Sequence, residues 1–135
     1  MNDNARPLVK PQRKVDIYFR KGGRIDITAR VVRALSLQDG DVINILQADS
    51  EYFLYVERRA SDMRNGMARY NNAVHRTRRN DNMLRCQSVA LTDAVNALTE
   101  ADESWLFVGT PRTLSRYGID GDGIPLIVNN NQFNK

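Results

Sequence analysis

The chain has 135 residues, 41% of them hydrophobic and 27% charged, the balance of a globular protein with one core or of two small halves sharing one. One cysteine excludes an internal disulfide and points to a reducing, cytoplasmic compartment; no apolar run reaches the roughly 20 residues of a membrane helix, and residues 1–11 lack a signal-peptide apolar stretch. The net charge is only +4, but residues 58–80 hold seven arginines against one acid, Asp62, a concentration that suits a polyanionic partner.

Residues 1–12 carry Pro7 and Pro11 with little apolar pattern and read as a mobile arm. Val15, Ile17 and Phe19 alternate as a strand, and Arg20-Lys21-Gly22-Gly23 can turn sharply. Ile25 and Ile27, alternating with Arg24 and Asp26, predict a second strand. Thr28 is a good N-cap for a helix over 29–35 with Val31, Ala34 and Leu35 inward. Leu37 returns the chain to the core, Asp39-Gly40-Asp41 is turn chemistry, and Val42, Ile43 and Ile45 restart a β-run. Ala48-Asp49-Ser50 supplies a hairpin turn before a strand over 51–57, rich in aromatic and β-branched residues. The unit from Gly23 to Leu46 is too small to bury its own apolar face and needs a partner.

The 60–79 segment gives two signals. Met63, Met67, Tyr70 and Val74 form a helical stripe with Ser61 as cap, while Asn65-Gly66 is a favoured hairpin turn; a helix or irregular connector is the preferred reading. A strand over 83–90 follows, then a helix over 93–98 capped by Thr92 with Ala94, Val95 and Leu98 inward. Glu100, Asp102 and Glu103 make an acidic loop, and 105–108 a short buried strand carrying Trp105. Thr110-Pro111 and Gly118 bracket a short helix. Asp120-Gly121-Asp122 is a turn, 124–128 the closing strand, and 129–135 a polar tail.

The run G-R-I-D-I-T followed by R-A-L-S-L-Q-D-G-D-V-I-N-I resembles the AbrB/MazE/SpoVT swapped-hairpin family, small prokaryotic DNA-binding domains in which two intertwined copies build one β-barrel. The resemblance covers residues 13–56. The family often carries Gly where Ser36 stands and another Arg where Val32 stands. It implies that basic residues of the first hairpin and the helix face DNA, and Arg13, Lys14, Arg24 and Arg33 match those positions.

A second copy can be set beneath the first. Thr110 meets Thr28, Arg112 meets Arg30, Leu114 meets Val32, Ile119 meets Leu37, Asp120-Gly121-Asp122 meets Asp39-Gly40-Asp41, and Ile124 meets Ile43, with Gln38 deleted. On that reading the fold is mainly β with short helices (α+β), a swapped-hairpin or double-psi-like barrel in single-chain pseudo-dimer form. Its parts are an arm at 1–12, a first half at 13–57, an arginine-rich connector at 58–82, a second half at 83–128 and the tail.

Catalytic and metal chemistry find little in the sequence. His75 and Cys86 could pair as base and nucleophile, but no orienting acid has motif spacing. One Cys and one His fall short of a zinc site. Asp120 and Asp122 begin a calcium loop that Asn131 fails to close, and Lys21-Gly22-Gly23 lacks the phosphate-loop pattern. The arginines have a coherent use, since guanidinium groups bind phosphates and read guanine edges. The expectation is a non-enzymatic regulator or accessory protein without cofactor or metal. It would bind duplex DNA through Arg13, Lys14, Arg24 and Arg33 on the barrel and Arg76, Arg78 and Arg79 on the connector. The alternative is a structural or protein-interaction module of a phage or multi-subunit assembly, with a second copy or an assembly protein as partner.

Overall fold

Ile17 and Phe19, and then Ile25 and Ile27, put four large apolar side chains on one face of a hairpin. The computed structural model, which describes residues 15–62, 72–77 and 82–128, pairs them as β1 (Ile17–Phe19) and β2 (Arg24–Ile27), with Ile17 opposite Ile27 and Phe19 opposite Ile25. Helix α1 (Ala29–Ala34) follows. Thr28 occupies its N-cap position but makes no capping bond; its hydroxyl donates instead to the Asp16 carbonyl at 2.7 Å, tying the helix start to β1. The helix ends at Leu35, and Ser36 takes φ 51°, the left-handed region that glycine favours. β3 (Val42–Ala48) and β4 (Glu51–Arg58) form a hairpin whose two loop residues, Asp49 and Ser50, both have positive φ, as the right-handed twist of a two-residue loop requires.

Of the helical stripe read in the connector, only the last member lies among the described residues, and it is not helical. A single 3-10 turn at Ala60–Asp62 follows β4, and Met63, Met67 and Tyr70 lie outside the described residues. Val74, the fourth member of the stripe, is fully buried in non-helical chain. Its N–H donates to the Asp41 carbonyl and its own carbonyl accepts from Gly40 N–H, so it leads into β5 (His75–Arg76) as part of the core.

Four expectations for the second half are corrected. The strand over 83–90 stops early, as β6 (Leu84–Gln87). Ser88, not Thr92, caps the next helix by accepting from Leu91 N–H at 3.1 Å, so α2 runs Val89–Thr99. That start places Leu91, Val95 and Thr99 at i, i+4 and i+8 facing inward, and leaves Ala94 exposed. In β7 (Ser104–Leu106) the phase is set by Leu106 opposite Ile17, which sends Trp105 outward, 51% exposed, instead of into the core. Ser104 takes the inward place because its hydroxyl is satisfied by Thr99 and Asn96. Finally, Thr110-Pro111 opens no helix. β8 (Arg112–Thr113) pairs with β9 (Asp122–Pro125), and only a 3-10 turn, Ser115–Tyr117, stands between them, closed by Gly118 at φ 80°. The Arg112 guanidinium lies over the Phe53 ring and pairs with Glu51, which holds this segment against β4 as a strand. The second sequence copy therefore has no counterpart of α1, and its Asp122 is exposed where Asp41 is buried.

The nine strands among the described residues form two antiparallel sheets, β5-β6-β2-β1-β7 and β3-β4-β9-β8, an α+β fold that is mainly β. Their ladders make no closed barrel. Two isolated bridges, Val42 with Ala73 and Val108 with Leu126, join the edge of one sheet to the other. Both sheets and both helices feed one core, in which Ile27 and Leu126 are buried and against which Ile45 packs. No helix among the described residues is long and apolar enough to cross a membrane.

Candidate nucleic-acid interface

Alternation that sends Ile17, Phe19, Ile25, Ile27, Leu84 and Cys86 into the core sends the residues between them to the opposite face of the five-stranded sheet. Strand register lines these up in one row: His75 beside Arg85, Arg85 beside Asp26, Asp26 beside Tyr18, Tyr18 beside Trp105. Four of the five members carry chemistry suited to a nucleotide, and the fifth, Asp26, bonds Arg85 and draws in two further arginines, Arg20 and Arg24.

Asp26 is 2% exposed although it points away from the core, because three guanidinium groups cover it. Arg20 Nε donates to Oδ2 at 2.7 Å and Arg85 Nε to Oδ1 at 2.6 Å, while Arg24 Nε lies 3.3 Å from Oδ2. Burial alone would raise the pKa of this carboxyl, but the hydrogen bonds from Arg20 and Arg85 and the charges of Arg85 and Arg24 outweigh it and hold the pKa below the usual value. The carboxylate neutralises one of the three positive charges, so the cluster keeps an excess of two. The hydrogen bonds from Arg20 and Arg85 use Nε, so the Nη donors of those two arginines are not spent on them. Arg20 also lies over the Tyr18 ring at 4.7 Å from its centroid. Arg20, Arg24, Arg76, Arg85, Tyr18 and His75 line one open concavity of about 1090 Å³.

Of the residues singled out from sequence, Arg24 stands in this cluster and Arg76 lines the same concavity, with its N–H donating to Asp39 Oδ2 at 3.1 Å. Arg33 is exposed in the last turn of α1 and does not line it. Arg13, Lys14, Arg78 and Arg79 lie outside the described residues; in the chain the first two precede β1 and the last two join β5 to β6. Arg59, counted in the connector charge, is structural: it bonds Asp41 and the carbonyls of Leu35 and Ser36. Sequence reasoning missed Arg20, Arg85, Asp26, Tyr18 and Trp105. An acid at the outward phase of β2, flanked by Arg24, was the one available signal; the partnership with Arg85, 59 residues away, was not readable.

His75 and Cys86 do not come together. His75 is exposed, with Nδ1 3.6 Å from Asp39 Oδ1. Cys86 faces the core, and burial together with the nearby Asp26 charge pushes its thiol up to about 12, far from a reactive thiolate. Among the described residues, no group of three or more acidic, His or Cys side chains is placed to hold a metal ion. No protein-family model, no curated protein and no solved structure matches the chain.

Proposed function

We propose that this chain is a cytoplasmic, non-enzymatic DNA-binding protein that holds the nucleic-acid backbone on the outer face of its five-stranded sheet and acts as a regulator or accessory factor by occupying DNA. The observation that carries the reading is the cluster of Arg20, Arg24 and Arg85 on buried Asp26. Guanidinium groups fixed in direction by a buried acid meet phosphate oxygens with little loss of side-chain freedom. Arg76 extends the cluster, and Arg78 and Arg79 add charge next to it in the sequence. The swapped-hairpin resemblance supports the same function and adds Arg13, Lys14 and Arg33. Two features favour that fold reading: the bridges Val42–Ala73 and Val108–Leu126 draw the sheets toward one barrel, and Ser36 has a left-handed backbone where that family carries Gly.

The test is a titration of the full chain with mixed-sequence DNA across a salt series. Affinity should fall with salt at a log–log slope of about −0.7 to −0.9 per phosphate neutralised. Replacing Arg24 and Arg76 with Gln should make the slope shallower by about one unit each. A second reading, docking onto an acidic protein of an assembly, is favoured by exposed Trp105, since Trp and Arg together mark protein interfaces. It takes over if no nucleic acid binds at near-physiological salt.

A further inference from the structure

We infer that the DNA this face takes is single-stranded, with Trp105 and Tyr18 receiving bases while the arginine cluster receives phosphates; this rests on reading the face as a nucleic-acid surface. The row across the sheet is divided. Its β5, β6 and β2 positions carry His75, Arg85 and Asp26 with the attendant arginines, and its β1 and β7 positions carry Tyr18 and Trp105. Neighbouring strands lie about 4.8 Å apart, so the aromatic and cationic columns are separated by about 5 to 10 Å, within the span of a few nucleotides of an unstacked strand.

A duplex offers such a surface phosphates, sugars and base edges but no free base faces, because those are already stacked; it would use the cationic half and leave the aromatic half without a stacking role. A single strand presents both a charged backbone and free base faces, and sheet-borne aromatics beside arginines are a physical match for both. Trp105 is the sole tryptophan of the chain, and it stands half exposed at the middle of a strand whose neighbours Ser104 and Leu106 are buried. Its ring is therefore carried on a backbone fixed by the core while the ring itself stays open. Tyr18, its direct cross-strand partner, is covered by the Arg20 guanidinium, and a guanidinium plane is itself a surface on which bases stack.

Because Trp105 is the only tryptophan, its emission reports this face alone. The full chain is titrated at one salt concentration with a 16-nucleotide deoxythymidine strand, the same strand annealed to its complement, and the 16-nucleotide uridine strand. The expected result is saturable quenching by the deoxythymidine strand and affinity at least tenfold above that for the duplex. Trp105→Leu, at an exposed position and checked for native circular dichroism, should weaken single-strand binding about 5- to 100-fold. Single-strand binding without quenching, or at full strength in Trp105→Leu, overturns the inference. So does duplex binding as tight as single-strand binding, which leaves the DNA-binding reading standing. Tighter binding of the uridine strand overturns the assignment to DNA. Absence of binding to all three at near-physiological salt overturns the DNA-binding reading and this inference with it.

Discussion

Arg59 Nη1 donates to Asp41 Oδ2 at 2.9 Å, joining the end of the β3–β4 hairpin to the turn that precedes it. The same guanidinium donates to the carbonyls of Leu35 and Ser36, so it closes the C-terminal end of α1 as well. Asp41 is almost wholly buried and accepts two further bonds, from Gln38 N–H at 2.8 Å and from Ala60 N–H at 2.7 Å.

Removing the carboxylate leaves two part-buried N–H donors and the Arg59 guanidinium without their acceptor. Asp41→Ala should therefore cost about 3 kcal/mol of unfolding free energy. Arg59→Ala, which removes a partly solvated partner, should cost about 1 to 2 kcal/mol. Urea denaturation of both variants checks this, and a loss below about 1 kcal/mol for Asp41→Ala would show that the turn is held by something else.

The Asp26 cluster predicts a pH dependence of definite sign. Its folded-state pKa lies below 3.8, so the stability it adds is fully present above that value and is lost as pH falls through the lowered pKa. Asp26→Asn should remove this component from the acid limb of the stability curve and leave three guanidiniums facing one another, so it should be less stable at pH 7 by about 1 to 3 kcal/mol. Thermal melts of both proteins between pH 2 and 7 separate the two effects. Parallel curves would show that Asp26 does not titrate as described.

Gly23 should not tolerate a side chain. Its φ is +104°, and an added Cβ would lie 2.7 Å from Gln87 Nε2 and 2.9 Å from Val89 Cγ2. Its carbonyl accepts from Ser88 N–H at 2.8 Å, at the N-cap of α2, so a shift here would disturb that helix start. Gly23→Ala is expected to cost about 1 to 3 kcal/mol, whereas Gly22→Ala, with open space at its Cβ, should lose only the smaller penalty of its positive φ. Equal losses in denaturant melts of the two variants would argue against the close approach.

Cys86 should be silent toward iodoacetamide or a disulfide reagent at neutral pH in the native protein and react fully once urea unfolds it. Its burial and a thiol pushed up to about 12 both require this. Stoichiometric labelling of the native chain within minutes would mean that β6 opens readily.

The first half of the fold was legible because its signals are local: alternation at Ile17 and Phe19 and at Ile25 and Ile27, the Asp39–Asp41 turn, and the Asp49-Ser50 loop. The second half was harder because several positions satisfy one rule equally well. Ser88 and Thr92 are both good N-caps, and tertiary packing of Leu91 and Val95 decided between them. Trp105 looked like a core residue by size; the phase of β7 was settled by cross-strand partners that no local window contains. The candidate site was half legible for the same reason. Arg24 and Arg76 stood out as charges, but Asp26 gathers arginines from three strand-proximal positions, and only the β2–β6 register brings Arg85 among them.

The two bridges between the sheets have a further consequence. Val42–Ala73 and Val108–Leu126 use sheet margins to satisfy one another, and the remaining end strands, β5 and β8, are only two residues long. Past its start at Val42 and Ile43, however, the seven-residue end strand β3 keeps its outer edge from Asn44 to Ala48 without a partner strand among the described residues. A second copy or assembly partner could continue the four-stranded sheet along that edge, which would leave the row from His75 to Trp105 on the other sheet to the nucleic acid proposed for it.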